Sequence, residues 1–240
     1  MPDNPLYQAV SGQQPAAELG LVAGLPVLTW RLSKPWLAIS SAVLGGGIGE
    51  RHWVCNATVH RDYDRPDPAA HLREIAGELD LLGPGVGLLT AMDVGDAITR
   101  VDHEVTACVT TGVGEHPTWA AAEESPLLSA QPGTVNAVCV LPVRLTEGAL
   151  VNAVATVAEA KAQAFGDLGV PGTGTCTDAT VLLCPVDGPV ESYGGPRSRI
   201  GGALARAVHA AVHAGLTAAP PGTSWSYRRT RPPSLPPTSN

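Results

Sequence analysis

Lysine is almost missing from this chain: thirteen of its 15 basic residues are arginine, and only Lys34 and Lys161 are lysine. Charge of either sign is scarce at 15%, against 44% apolar residues, which excludes a disordered chain and describes a globular one of one large or two small domains. The net charge is −7 and no basic patch precedes the C-terminal tail, so nucleic acid is not an expected partner. No CxxC pair occurs among Cys55, Cys108, Cys139, Cys176 and Cys184, whose wide spacing and odd number suggest neither structural zinc nor a disulfide framework. No run approaches the ~20 apolar residues of a membrane span. The N-terminus also lacks a basic segment followed by an apolar one. A soluble, cytoplasmic protein is expected.

What is present is glycine (27) and proline (22), which predict short elements joined by tight turns. Residues 26–32 and 36–44 read as two strands around Ser33-Lys34-Pro35. The second runs into Gly45-Gly46-Gly47-Ile48-Gly49, where consecutive N–H groups either converge on an oxyanion or simply form a hairpin turn. The spacing is not that of a phosphate loop or a dinucleotide fingerprint. In the strand 52–59, period-two alternation places Val54, Asn56, Thr58 and His60 on one face. That polar row either lines a site or faces solvent. A helix is predicted over 69–82 with Leu72, Ile75, Leu79 and Leu82 inward, then strands at 86–92 and 101–113. His116 lies in a glycine-rich loop and is a candidate site residue.

The segment from Glu147 to Pro185 reads as a helix, a polar loop and a buried strand. Thr146 is placed to cap the helix, with Glu147 favourable at its positive end. Helical phasing sets Leu150, Val154, Val157, Ala158, Lys161 and Phe165 on one face, and Asn152, Thr156, Glu159 and Gln163 on the other. Lys161 thus falls in the apolar stripe. A buried lysine needs a partner or a task, unless it snorkels past Phe165 to water. In a chain that uses arginine for generic cations, a retained lysine points to chemistry, because its pKa can shift and that of arginine cannot. After the helix, Thr173-Gly174-Thr175-Cys176-Thr177-Asp178 offers three hydroxyls and an acid, a polar cradle for a ligand or an ordinary turn. A last helix is predicted over 198–213. Its His209 and His213 have metal-ligand spacing but no acidic neighbour in sequence, and no metal site is assigned.

Several of these stretches occur together in one known pattern. Gly133-Thr134-Val135-Asn136, Glu159-Ala160-Lys161, Thr173 to Asp178, and Tyr193-Gly194-Gly195-Pro196 before a final helix resemble the adenosylcobinamide amidohydrolase family. Ser40 to Gly46 and Thr110 to Gly114 are similar to it as well. The resemblance covers about Leu25 to Gly215. It implies a corrinoid-salvage enzyme that cleaves the amide joining the aminopropanol arm to the corrin ring, giving adenosylcobyric acid and 1-amino-2-propanol. Some members also act on complete cobamides. Ala158 stands where the family usually has threonine, so that hydroxyl is not essential if the activity is kept.

Amide hydrolysis requires an activated nucleophile, donors for the oxyanion and a proton for the leaving amine. Three routes are open: a threonine hydroxyl (Thr175 or Thr177) with Lys161 as base; water activated by Asp178 or Glu159, with Lys161 and loop N–H groups at the oxyanion; or a metal-bound water on His60, His116 and Asp178. The metal-free water route is preferred. Candidate catalytic residues are then Lys161, Asp178, Glu159, Thr175 and Thr177. Candidate substrate contacts are Asn56, His60, Gly45, Gly46, His116, Asn136, Thr173 and Gly174. For Lys161, Asp178 is a better partner than Glu159, which points away. No cofactor is expected, the corrinoid being substrate. A corrinoid-binding module without catalysis, or a general amidase, are the alternatives. The fold class expected is α+β (or α/β), a single domain with a mixed, largely antiparallel sheet and packed helices. An N-terminal segment (1–24) would precede the domain (25–215), and a disordered Pro/Ser/Arg-rich tail (216–240) would follow.

Overall fold

The structure, a computed structural model, describes residues 14–113, 117–121 and 133–218. His116 and the tail beyond residue 218 lie outside them. The chain runs through β1 (Glu18–Val22), β2 (Leu25–Ser40), β3 (Gly47–Thr58), α1 (Pro68–Glu78), β4 (Gly85–Thr90), β5 (Ile98–Asp102) and β6 (Val105–Gly112). It continues through β7 (Thr134–Val140), β8 (Arg144–Leu145), α2 (Glu147–Asp167), β9 (Ala179–Pro185), β10 (Val190–Glu191) and α3 (Arg199–Ala218). Strand β1 belongs to the sheet, pairing with β2, although it falls within the segment set apart as N-terminal. Among the described residues, no helix is long and apolar enough to cross a membrane.

The expected pair of strands at 26–32 and 36–44 is one strand, β2. Its irregularity appears as a shift of register against β3 between Arg31 and Trp36. Pro35 has no N–H to give a ladder, and a bulge is where a strand accommodates that loss. The stretch 101–113, expected as a single strand, is a hairpin. His103 and Glu104 form its turn with left-handed φ of 42° and 66°, so they are not opposite-facing strand residues. Helix α1 is capped by Asp67, whose side chain accepts from the Ala70 N–H, with Pro68 in the first turn. It stops short of the expected end, and Leu82 is left exposed. Helix α3 runs past Gly215 to Ala218.

The eight-stranded sheet has the order β4-β3-β2-β9-β7-β6-β5, with β1 beside β2. The β3–β4 and β7–β9 pairs are parallel and the rest antiparallel. This is the expected mixed, mostly antiparallel sheet of an α+β domain. It folds over on itself: Val54 of β3 and Leu88 of β4 share one apolar cluster with Cys108 of β6 and Val138 of β7. The outer face of β3 carries Cys55 and Ala57 against Leu72 and Ile75 of α1. The outer faces of β6, β7 and β9 lie under α2 and α3. The Trp53–Ala57 half of β3 and the whole of β7 are therefore buried on both sides, and a polar residue there has no solvent to face.

Helix α2 is capped by Thr146, which accepts from the Ala149 N–H. Its buried arc is Ala149, Leu150, Ala153, Thr156, Val157, Ala160, Ala164 and Phe165. That arc is rotated from the expected stripe: Thr156 is inside and Ala158 outside. The physical reason is the glycine motif before α3. A Cβ on Gly194 would strike the Ala149 carbonyl and sit 2.9 Å from the Ala153 Cβ. Thr156 Oγ1 donates to the Gly194 carbonyl at 2.9 Å. Close approach demands small side chains, so alanine and threonine mark the tightest contact here, and large apolar residues flank it.

Candidate active site

A cleft of about 430 Å³ opens where the folded sheet's polar strand ends meet. Its walls come from five places: Ser41 to Val43 after β2, His60 and Arg61 after β3, the end of β4, Thr134 and Asn136 of β7, and Thr177 to Ala179 leading into β9. Thr90, Thr134 and Asn136 are buried polar residues on strands. Each stands at a strand end, where the apolar cluster between the sheet halves gives way to the cleft.

Asp178 is the electrostatic centre. Its Oδ2 accepts from Lys161 Nζ and from the Thr175 N–H at 3.0 Å. Its Oδ1 accepts from the Val135 N–H at 2.8 Å and from Thr175 Oγ1. Four donors fill the four acceptor positions of a carboxylate. The side chains of Lys161 and Asp178 are 17% and 15% exposed, so the pair is largely removed from water. Lys161 therefore has a partner and does not snorkel. It sits at the edge of the α2 arc and reaches Asp178 across the loop. Among the described residues no threonine hydroxyl bonds to Nζ; the hydroxyl–lysine contact of the first of the three open routes is not made in this structure.

Glycine explains how the pair fits. A Cβ on Gly174 would sit 2.5 Å from Lys161 Nζ and closer still to Asp178 Oδ2. Gly174 thus makes room for the ion pair, and does not wall the cleft. Thr173 likewise stays outside: its N–H donates to the Thr118 carbonyl at 2.9 Å, and the Thr118 N–H returns to the Gly174 carbonyl at 2.8 Å. Together they tie the loop to segment 117–121.

The threonines form a chain. Thr175 Oγ1 and Thr177 Oγ1 both reach the Gly133 carbonyl, at 2.7 and 2.8 Å. Thr177 Oγ1 also lies 2.6 Å from Thr134 Oγ1. Thr177 and Thr134 border the cleft; Thr175 stands behind, against Asp178.

A second network fixes Asn136. Its Nδ2 donates to the Leu89 carbonyl at 2.9 Å and to Asn56 Oδ1 at 3.0 Å. Asn56 Nδ2 in turn donates to Thr110 Oγ1 at 3.2 Å. A carbonyl only accepts, so the nitrogen of Asn136 must face Leu89. Its Oδ1 then points the other way, and has no hydrogen-bond partner among the described residues. Asn56 does not border the cleft; it holds Asn136 from behind.

At the outer edge, Tyr63 stacks on His71 with centroids 5.4 Å apart, and its hydroxyl lies 3.2 Å from His71 Nδ1. Burial raises the Tyr63 pKa and lowers that of His71. His60 stands exposed at the cleft, with Nδ1 accepting from the Asp62 N–H at 3.3 Å.

Of the residues picked from sequence, Asp178, Thr177, Asn136 and His60 meet at the cleft. Lys161, Thr175 and Asn56 stand directly behind them. Gly45 and Gly46 do not border it, and their role is steric. Gly45 has φ +75° and a Cβ there would collide with Gly85 of β4, while one on Gly46 would lie 2.7 Å from the Ala42 carbonyl. Glu159 is exposed on another face of α2 and does not border the cleft. Thr134 was missed as a site residue, although it stands two positions before Asn136 and shares its strand face. Among the described residues, no group of three or more His, Cys, Asp or Glu side chains is placed to hold a metal ion.

A largely apolar cleft, bordered by hydroxyls, an amide and a shielded lysine–carboxylate pair, holds the kinds of group that amide hydrolysis needs. The adenosylcobinamide amidohydrolase family profile matches residues 15–221, and the chain belongs to that family. It is 30% identical over 185 residues to an adenosylcobinamide amidohydrolase of Methanosarcina mazei, covering 73% of this chain and 88% of that one. An adenosylcobinamide amidohydrolase of Halobacterium salinarum is 41% identical over 88 residues, covering 36% and 37%. An uncharacterized protein of Methanocaldococcus jannaschii is 34% identical over 88 residues, covering 33% and 34%.

Proposed function

We propose that this chain hydrolyses the amide between the aminopropanol arm and the corrin ring of adenosylcobinamide, releasing adenosylcobyric acid and 1-amino-2-propanol in corrinoid salvage. One observation carries the reading. Residues from separate family motifs, Thr134 and Asn136 of one and Thr177 and Asp178 of another, border a single cleft, with Lys161 of a third behind them. The cleft is about 430 Å³ and open to solvent, and in this reading it takes the arm. The ring stays at the mouth.

Water is the nucleophile and Asp178 its base. Asp178 is saturated as it stands, but Thr175 Oγ1 reaches the Gly133 carbonyl at 2.7 Å as well as Asp178. Its one proton can turn to that carbonyl without moving a heavy atom, which opens an acceptor position on Oδ1. The water oxygen then bonds to the amide carbon and its proton passes to Asp178. The C–N bond breaks as the leaving nitrogen takes up a proton, for which His60 at the cleft is the acid. Lys161 keeps the other carboxylate oxygen fixed. A second reading, attack by a hydroxyl, rests on the Thr134–Thr177 pair. Hydroxylamine trapping of an acyl-enzyme distinguishes it.

The compartment proposed is the cytoplasm. All five cysteines are free thiols, four of them buried, as suits reducing surroundings.

The test is incubation of the pure protein with adenosylcobinamide, with and without chelator, and chromatographic identification of products. Adenosylcobyric acid formed in both arms is expected. Tight binding with no product would make the protein a corrinoid-binding module. Turnover of simple amides instead would make it a general amidase.

A further inference from the structure

The hydroxyl of Ser41 is anchored at its oxygen and idle at its proton. Strand β2 ends at Ser40, whose Oγ accepts from the Ala42 N–H at 3.0 Å and so turns the chain along the cleft. Ser41 then bonds twice to Thr180 of β9. Its N–H donates to the Thr180 carbonyl at 3.0 Å, and its Oγ accepts from the Thr180 N–H at 3.0 Å. Two bonds to one residue fix where that oxygen stands. Its proton has no acceptor among the described residues. Ser41 is exposed and borders the cleft, so the proton is open to whatever enters.

Attack of water on an amide carbon moves negative charge onto the amide oxygen, and a donor already waiting there lowers the barrier. Most donors nearby are spent. The Val135 N–H, the Thr175 N–H and Lys161 Nζ all go to Asp178. Asn136 gives both amide protons to Leu89 and Asn56. Thr134 and Thr177 bond each other, and Thr177 also reaches the Gly133 carbonyl. Ser41 differs, because accepting from an N–H polarises its own O–H and strengthens it as a donor. Thr180 follows Asp178 by two residues, about 7 Å along an extended chain, and Ser41 is bonded beside it. That separation accommodates a water on Asp178, the amide carbonyl it attacks, and one hydrogen bond from that carbonyl to Ser41.

We propose that Ser41 is a catalytic residue: its hydroxyl donates to the amide oxygen and holds the charge that builds there as water adds from Asp178. The proton stays on Ser41 throughout. When the C–N bond breaks, its electron pair leaves with the nitrogen, and a pair on the oxygen restores the carbonyl. The inference rests on the amidohydrolase reading and adds to it the group that stabilises the transition state.

The kcat and KM of Ser41→Ala, Ser41→Thr and Ser41→Cys on adenosylcobinamide test it, with a thermal melt of each. Ser41→Ala should lose roughly 10²–10³ in kcat, the cost of one such donor. Its KM should barely move, because the charge appears only in the transition state. Ser41→Thr keeps the hydroxyl and should recover most of the rate. Ser41→Cys keeps an acceptor for the Thr180 N–H but offers only a weak donor, so it should be slow in a protein that melts like the wild type. It carries the test if Ser41→Ala does not fold. An unchanged kcat in Ser41→Ala or Ser41→Cys, or a raised KM with kcat intact, overturns the inference. So does a folded Ser41→Thr as slow as Ser41→Ala. An acyl group trapped on Ser41 itself would make it the nucleophile and overturn its role as donor. In all these cases the wild type still cleaves adenosylcobinamide. A wild type that does not cleave it refutes the amidohydrolase reading itself, and this inference with it.

Discussion

Replacing Gly174 by alanine isolates the ion pair from everything else in the loop. Gly174 is not among the glycines with positive φ, so its backbone accepts alanine, and only the added Cβ matters. That carbon would sit 2.5 Å from Lys161 Nζ and 3.1 Å from Lys161 Cε, and nearer to Asp178 Oδ2. Neither partner can withdraw freely: Asp178 is held by Val135 and Thr175, and Lys161 by Asp178. Overpacking of this kind costs about 1–3 kcal/mol. The entropy gained by removing a glycine returns about 0.4–1 kcal/mol. The net is a destabilisation of about 1–2 kcal/mol, a drop in Tm of roughly 3–6 °C for a domain of this size. Turnover should fall by roughly a hundredfold, because the displaced carboxylate borders the cleft and is the proposed base. Gly148 is the control. It lies in the same helix as Lys161 with open space around its Cβ position, so Gly148→Ala should raise the Tm slightly. Thermal unfolding and adenosylcobinamide turnover on both variants decide the matter. A Gly174→Ala protein with wild-type Tm and turnover would refute the packing argument.

Lys161→Ala leaves a largely buried carboxylate without its cation, and Asp178→Asn removes the negative charge and turns one of two accepting oxygens into a donor. Both should abolish measurable turnover, and Lys161→Ala should also unfold at lower urea concentration; ordinary turnover in either variant would remove the pair from the mechanism. Asp102 is bonded by Arg206 at 2.6 and 2.9 Å and by His103, and those bonds hold its pKa far below the usual carboxylate range. A depressed folded pKa means the unfolded chain binds the proton more tightly, so this contact stabilises above about pH 4 and fades as pH falls below. The Tm difference between wild type and Asp102→Asn should therefore be largest near neutrality and shrink in acid; a pH-independent difference would contradict the assignment. Burial pushes the Cys55 thiol up to about 12 and raises those of Cys108, Cys139 and Cys184. Iodoacetamide on the folded protein should thus label exposed Cys176 and spare these four, as peptide mapping would reveal.

Local rules of sequence were enough for the caps, the strands of strong alternation and the α+β class. Asp67 and Thr146 announce their helices because a short polar side chain next to a helical pattern has one good use. Lys161 was legible for a compositional reason, its rarity, more than for its phase. What local rules could not supply is anything set by approach across the fold. The face of α2 was misjudged because its closest contact is made to glycine, where alanine and threonine are the inward residues. Gly45, Gly46 and Gly174 looked like ligand cradles, yet each is glycine because another part of the chain lies against it. Asn56 and Thr110 form a support for Asn136 only once the sheet has folded over, and nothing in their own neighbourhoods says that it will.

The parallel register of β7 on β9 has a consequence for how the protein is made. Asn136 pairs with Ala179, and from that single alignment the Val135 N–H comes within reach of Asp178. A slip of one residue would exchange the two faces of β7. Thr134 and Asn136 would then turn toward α2 and α3, and Val135 and Ala137 toward the cleft. Such a chain could keep its helices and much of its compactness. It would have no site. Parallel pairing between strands so far apart in sequence is also slow to form. The recovery of turnover after dilution from denaturant should therefore trail the recovery of helical signal, and the lag would time the setting of one strand against another.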